Sequence, residues 1–169
     1  MWVMVGHAVI GFAVALLLGT FIEYLVHRLM HARVFLYKVH AKHHQTAQGQ
    51  GWLMEFKDYI VPSLPVLIIG GILFWWLVSP VSGIAFAAGC AFYAAAAAYA
   101  HQVQHERPEL CFWMPRPVHH LHHEGKMWHH NFGILVDFWD RVFGTYKPVE
   151  YPRERRFYPL RDYFSIKWF

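Results

Sequence analysis

The stretch VMVGHAVIGFAVALLLGTF, residues 3–21, is followed closely by HRLMHARVFLYKVHAKHH, residues 27–44. The first stretch is almost entirely apolar and, continued to Leu25, is close to the roughly 20 residues that a helix needs to cross a bilayer. The second stretch carries five histidines at successive spacings of four, nine, three and one. Together they predict a membrane helix that delivers imidazole groups to the boundary between lipid and water.

The composition places the whole chain in the same class. It has 169 residues, of which 56% are hydrophobic and 15% are charged, whereas soluble domains carry about 25% charged residues. We therefore predict an all-α integral membrane protein that forms a single domain over residues 1–169.

Three apolar stretches are predicted to span the membrane, at about residues 3–25, 59–78 and 81–100. The sequence SPVSG, residues 79–83, predicts a tight turn between the second and third spans. Residues 26–58 and 101–169 are predicted to form a histidine-rich helical cap. No basic residue precedes the first apolar stretch, so we expect it to be retained as a span rather than cleaved as a signal peptide.

The basic residues predict the orientation. All fifteen lysines and arginines lie either between Arg28 and Lys57 or from Arg107 onward. Three spans with the N-terminus outside would put every one of them in the cytoplasm, as the positive-inside rule requires. We predict a location in the bacterial inner membrane; the alternative is a soluble protein with three buried helices. The sequence shows no row of clustered lysines and arginines together with a helix that could contact bases. Nucleic acid is therefore not an expected partner.

Histidines form four clusters beside the predicted membrane exits: HRLMH, HAKHH, HQVQH and HHLHH. In a helix, residues three and four apart share a face, so each cluster offers two or three imidazoles to one region. The ten residues concerned are His27, His31, His40, His43, His44, His101, His105, His119, His122 and His123. His120 falls off the face of its cluster, and His7, within the first span, is expected to be a packing residue.

Ten imidazoles are too many for one ion and suit two ions held close together. Imidazole favours zinc, copper, iron or nickel over magnesium or calcium. A structural zinc site would usually include cysteine, and neither Cys90 nor Cys111 lies at ligand spacing.

The order HxxxH, HxxHH, HxxxH, HxxHH resembles the fatty acid hydroxylase and sterol desaturase superfamily of membrane di-iron enzymes. The segment NFGILVDFWDRVFGTY, residues 131–146, is similar to the motif that follows the last histidine box of that family. The resemblance covers roughly Glu23 to Tyr146. It implies the ten histidines as ligands of two iron ions, for which zinc could substitute in a purified sample, with O2 as co-substrate and the di-iron centre itself as the catalytic group.

Further residues are candidates for contacts to the ligands or to substrate: His120, Trp128, His129, His130, Asn131 and Asp137. Asp137 is a candidate partner of a histidine. Glu55 has two interpretations, since it could orient a histidine or pair with Lys57 and nearby arginines. Trp113, Trp128 and Phe132 could line a substrate passage or anchor the cap at the interface.

The expected activity is O2-dependent hydroxylation of a membrane lipid or other apolar substrate, such as a fatty acyl, sterol-like or carotenoid molecule. Desaturation at the same site is one alternative, and a non-enzymatic membrane metal-binding or transport protein is another. The chain shows neither a GxGxxG nucleotide motif nor an iron–sulfur cysteine set. Its electrons are therefore expected from a separate donor, such as a ferredoxin, a cytochrome or a reductase.

Overall fold

A computed structural model describes residues 1–152 and 157–169, and all regular elements within those residues are helical. Six α-helices follow one another along the chain: α1 Trp2–His31, α2 Tyr37–Thr46, α3 Trp52–Leu77, α4 Pro80–Glu106, α5 Val118–Glu124 and α6 Phe138–Val142. Short 3₁₀ helices lie at Pro108–Leu110 and Leu160–Phe164. Three of the arginines counted in the charge pattern, Arg153, Arg155 and Arg156, fall outside the described residues.

Helices α1, α3 and α4 are each long and apolar enough to cross a membrane, which confirms the three predicted spans. All three extend beyond the predicted limits. α1 continues from Leu25 to His31, α3 begins at Trp52, and α4 runs on to Glu106. Since α1 has 30 residues and a helix rises about 1.5 Å per residue, it is about 45 Å long and exceeds the hydrocarbon core of about 30 Å. His27, His31, His101 and His105 therefore lie on helical extensions of two of the spans.

The turn between α3 and α4 is the one that the sequence predicts. α3 ends at Leu77, and Ser79 caps α4 by accepting a hydrogen bond from the Ser82 backbone N–H at 3.2 Å. Pro80 occupies the first turn of α4, where its missing N–H and preset φ angle suit a helix start.

α4 contacts both α1 and α3 and is the most buried of the three long helices. Many of its inward residues are small, with Gly83, Gly89, Ala94, Ala97 and Ala98 all buried. Small side chains let membrane helices approach closely, so that dispersion contacts hold them together. This packing brings the C-terminal ends of α1 and α4, which carry four of the histidines, to the same end of the bundle.

The replacement of Gly83 by alanine is expected to weaken the packing of α3 on α4. A Cβ at this position would lie 2.5 Å from the Gly71 carbonyl oxygen and 2.9 Å from the Trp75 backbone nitrogen. Backbone atoms cannot swing aside as a flexible side chain can, so the helices must separate, at a cost of about 1–3 kcal/mol.

The measurement is the thermal unfolding midpoint in detergent, and the control is Gly6→Ala in α1, where nothing lies within 4 Å of the added Cβ. The control should leave the midpoint unchanged or slightly raised, because alanine is the better helix former. Equal midpoints for the two variants would contradict this packing.

The C-terminal segment fastens the start of α3. The backbone N–H groups of Trp52 and Leu53 donate to the carbonyls of Lys167 and Trp168, both at 2.9 Å. The first N–H groups of a helix have no partner within it, so the tail satisfies two of them.

Candidate metal centre

Four helices supply the ten predicted histidines, and the structure brings all ten together at one end of the bundle. α1 carries His27 and His31, and α4 carries His101 and His105. The others come from two short helices, α2 with His40, His43 and His44, and α5 with His119, His122 and His123. Each predicted cluster is helical, so its i, i+3 and i+4 members do project from one side of a helix.

Five of these side chains form the first histidine group, which consists of His27, His31, His40, His44 and His122. Their Nε2 atoms point at one another. The Nε2 atom of His31 lies 2.8 Å from that of His40, 2.9 Å from that of His122 and 3.2 Å from that of His44. This set of nitrogens could hold a metal ion.

The second histidine group consists of His43, His101, His105 and His119, and its nitrogens also converge closely enough to hold an ion. The Nε2 atom of His105 lies 3.0 Å from that of His43 and 3.1 Å from that of His119. The ring of His123 packs beside this group, with its centroid 4.6 Å from the centroid of His105 and 4.7 Å from that of His119.

His123 contacts both groups, since its ring also stacks on that of His44 with centroids 4.0 Å apart. Both of its ring nitrogens are buried without a hydrogen-bond partner among the residues that the structure describes. A buried polar atom left unpaired costs roughly 1–3 kcal/mol. An ion bound to one of these nitrogens would remove the penalty for that atom.

The chemistry of the donor set fits a metal. His27 Nδ1 lies 2.6 Å from the Phe132 carbonyl oxygen, and His122 Nδ1 lies 2.6 Å from the His130 carbonyl oxygen. A carbonyl can only accept, so in both rings Nδ1 carries the proton and Nε2 of the neutral imidazole presents a lone pair. Lone pairs aimed at one point repel one another unless a cation lies between them. The distances of about 3 Å between these Nε2 atoms are also those expected between two nitrogens that each bind the same ion at about 2.1 Å.

The protonation states support the same interpretation. Burial lowers the pKa of His40 to about 2, with further lowering by the neighbouring His31 and His44. Burial also lowers the pKa of His44 to about 4 and that of His122 to about 3. These rings are therefore neutral at pH 7, the form in which imidazole binds a metal.

The two carbonyls behind the first group belong to a loop that a buried asparagine shapes. Asn131 lies between His130 and Phe132 and has a left-handed backbone, with φ of 61°. Its Oδ1 accepts from the Lys147 N–H at 2.8 Å and its Nδ2 donates to the Lys147 carbonyl at 3.0 Å. Asn131 was predicted to act on ligands or substrate; the structure places its side chain on Lys147, while the carbonyls on either side of it reach His122 and His27.

Asp140 stabilises the same loop by hydrogen bonds to its backbone. Its carboxylate is fully buried and accepts hydrogen bonds from the N–H groups of Phe132 and Gly133, at 2.9 and 2.7 Å, and from the Thr145 hydroxyl at 2.7 Å. Burial raises the pKa of Asp140, whereas these three donors oppose that rise. The carboxylate thus stabilises the loop that supplies the Phe132 carbonyl.

Two residues that the sequence did not single out also hold this loop. Glu23, buried in α1, accepts from the N–H groups of Ile134 and Leu135 at 2.8 and 3.1 Å and from the Tyr93 hydroxyl at 2.8 Å. Gln104, between the two histidines of HQVQH, donates to the Ile134 carbonyl at 2.7 Å and accepts from the His119 N–H at 2.9 Å. Glu23 carried a sequence signal, because a carboxylate at the end of an apolar span is expensive and usually has a function.

Glu55 lies beside the second group rather than beside a lysine. Its Oε2 atom is 2.9 Å from Nδ1 of His101, and the residue is 3% exposed. Of the two interpretations of Glu55, orientation of a histidine is therefore the one that matches its position. The signal was its placement in the first turn of the second long helix, but nothing in the sequence indicated which histidine it would meet.

The remaining candidates lie at varying distances from the centre. The ring of Trp128 packs against His31, with centroids 4.5 Å apart, and Phe132 packs against His27 at 5.7 Å. His130 acts through its carbonyl, and the His129 side chain is exposed. The structure does not bring the other candidates to the histidine groups. His120 faces Tyr151, Asp137 pairs with Arg141 at 2.6 Å instead of with a histidine, and Trp113 donates to the Leu135 carbonyl.

Comparison with known proteins identified a family. The family model described as fatty acid hydroxylase matches residues 12–145, a range that contains all four histidine-bearing helices apart from the start of α1. No curated protein and no solved structure matches the chain significantly.

Proposed function

The chain belongs to the fatty acid hydroxylase family, and from that membership we propose that it is an O2-dependent di-iron hydroxylase of a membrane lipid or other apolar substrate. The family implies an oxidoreductase, and together with the three apolar helices it identifies an integral membrane protein. The observation that carries the proposal is the division of converging imidazoles into two adjacent groups.

Under this proposal each group holds one iron ion. The first ion is bound by His27, His31, His40, His44 and His122, and the second by His43, His101, His105, His119 and His123. Bound iron would supply the redox change that activation of dioxygen for attack on an unactivated C–H bond requires, a change that zinc lacks. If zinc replaced iron in a purified sample, the same nitrogens would hold it.

The protein's own part is to orient the ligands and keep water out. The carbonyls of His130 and Phe132 keep protons on Nδ1 of His122 and His27, so that each Nε2 stays free for the metal. The rings of Trp128 and Phe132 cover one side of the first group. An apolar wall of this kind limits the access of solvent to the metals.

The position of the ligands suits a substrate that resides in the bilayer. His27 follows the predicted end of the first span by two residues, and His101 follows the third span directly. At about 1.5 Å of rise per residue, both side chains lie within a few Å of the hydrocarbon boundary. An apolar portion of a lipid could therefore reach the centre while its polar head stays at the interface.

The topology and the electron supply complete the proposal. We place the centre on the cytoplasmic face of the bacterial inner membrane, because the basic residues are confined to the segments that carry the histidines. Electrons come from a separate ferredoxin, cytochrome or reductase. Sustained turnover with purified protein, substrate, oxygen and NADPH alone would contradict this dependence on a donor.

The decisive experiment combines metal analysis with lipid analysis. Protein loaded anaerobically with ferrous iron should retain two ions per chain. Membranes from cells that express the gene should contain a lipid or pigment heavier by one oxygen atom than its counterpart in cells without the gene, and ¹⁸O₂ should label it. A product two hydrogens lighter would identify a desaturase at the same site. An unchanged lipid and pigment profile under ample expression would contradict an oxidative function.

A further inference from the structure

The two histidine groups differ in the atoms that lie behind their rings. In the first group, His27 and His122 donate from Nδ1 to backbone carbonyls, both at 2.6 Å. In the second group, His101 Nδ1 lies 2.9 Å from the Glu55 carboxylate, and His105 Nδ1 lies 3.2 Å from the Ala47 carbonyl. Glu55 is thus an acidic side chain that contacts the second group, whereas backbone carbonyls support the first.

The Glu55 carboxylate is held in place. Its Oε1 atom accepts from the Gln50 N–H at 3.0 Å, which leaves Oε2 facing His101. The preceding turn is itself fastened, because the Gly51 N–H donates to Gln102 Oε1 at 2.9 Å, next to His101 in α4. Gly51 has a φ of 104°, a conformation that favours glycine. Backbone hydrogen bonds therefore fix the position of Glu55 beside His101, which a chance pair of surface side chains would lack.

We propose that Glu55 makes the two metal positions unequal, so that the ion in the second histidine group is held more tightly. A carboxylate carries a full negative charge, whereas a carbonyl offers a dipole. A carboxylate behind a metal-binding imidazole raises the basicity of the ring and fixes its orientation. Glu55 acts here as a positioning residue through His101. The inference rests on the two-ion centre of the proposed function.

The test follows iron release from anaerobically loaded protein to a ferrous chelator that forms a coloured complex. The wild type should release its two ions in two phases of equal amplitude. Glu55→Gln should speed up the slow phase by about 10–100-fold, the usual effect of removing such a partner, and leave the fast phase as an internal check on folding. Glu55→Asp, which keeps the carboxylate, should restore part of the slow phase.

A matched control is Asp58→Asn. Asp58 lies one turn further along α3, is exposed, and accepts from the Gln50 side chain instead of contacting a histidine. This variant should release iron as the wild type does. A slow phase that accelerates equally in Asp58→Asn would overturn the inference, since the effect would then be one of general charge.

Two further variants show which histidine group gives rise to each phase of iron release. His40→Ala removes a ligand of the first group only, and there Glu55→Gln should still speed release of the remaining ion. His105→Ala removes a ligand of the second group only, and there Glu55→Gln should change nothing. The inference would be overturned if Glu55→Gln sped up release only in the His105→Ala protein, or equally in the His40→Ala and His105→Ala proteins. Neither outcome would contradict the two-ion centre. A wild type that binds fewer than two ions would instead contradict the proposed function itself.

Discussion

Replacement of His122 by alanine is expected, under the proposed two-iron centre, to remove one iron ion per chain and to lower the proposed hydroxylase activity by more than about 100-fold. The Nε2 atom of His122 lies 2.9 Å from that of His31 and 3.1 Å from that of His44, so it is central to the first group. Loss of a partner behind a ligand already costs 10–100-fold in metal affinity or activity, and loss of the ligand itself should cost more. Iron per chain and product yield are the measurements.

The control for this variant is His120→Ala on the same helix. The His120 ring points toward Tyr151, with centroids 6.1 Å apart, and belongs to neither histidine group. We expect it to keep two irons per chain and most of the activity. If His122→Ala kept both irons, or if His120→Ala lost one, the assignment of α5 residues to the centre would be wrong.

Replacement of Asp140 by alanine is expected to give the largest loss of stability. The change leaves the buried N–H groups of Phe132 and Gly133 without their acceptor, and each unpaired buried N–H costs about 1–3 kcal/mol. The summed loss of several kcal/mol is a large part of the 5–15 kcal/mol that stabilises a typical protein. Iron content should fall too, because the loop carries the carbonyl that orients His27.

The thermal unfolding midpoint of the metal-free protein in detergent measures the first effect, and elemental analysis measures the second. Asp137→Ala is the matched control from the same VDFWD segment. Asp137 forms an i, i+4 ion pair with Arg141, whose side chain is 51% exposed, and such surface pairs contribute about 0–1 kcal/mol. Similar midpoints for the two variants would show that Asp140 does not support the loop.

The membrane helices and the donor set were predictable because their signals are local. Apolar length marks each span, and the spacing of three and four residues makes the histidines of each cluster share a helical face. Both properties follow from the geometry of a single helix, which does not depend on the rest of the chain. Nine of the ten histidines lie in the two groups of converging nitrogens, and His120 faces Tyr151, as its register requires.

The residues that support the ligands were largely hidden from sequence reasoning. The carbonyls of His130 and Phe132 are backbone atoms that every residue possesses, so no side-chain pattern marks them. Gln104 looks like an ordinary polar residue at the end of a span, yet it is fully buried between α5 and the loop. Asp137 and Asp140 are both acidic and three residues apart, and only the position of the loop decided which of them it would contact.

The sequence by itself determined that three apolar helices carry clustered imidazoles to one end of the molecule, because hydropathy and helical period are properties of each segment alone. Only the tertiary structure decided which imidazoles belong together. His43 and His44 are adjacent in α2, yet they join different groups, and His119 and His122 of α5 are likewise divided. Adjacent positions on a helix point about 100° apart and positions three apart about 60° apart. The division therefore depends on how four helices are rotated about their axes, and packing between distant segments sets that rotation.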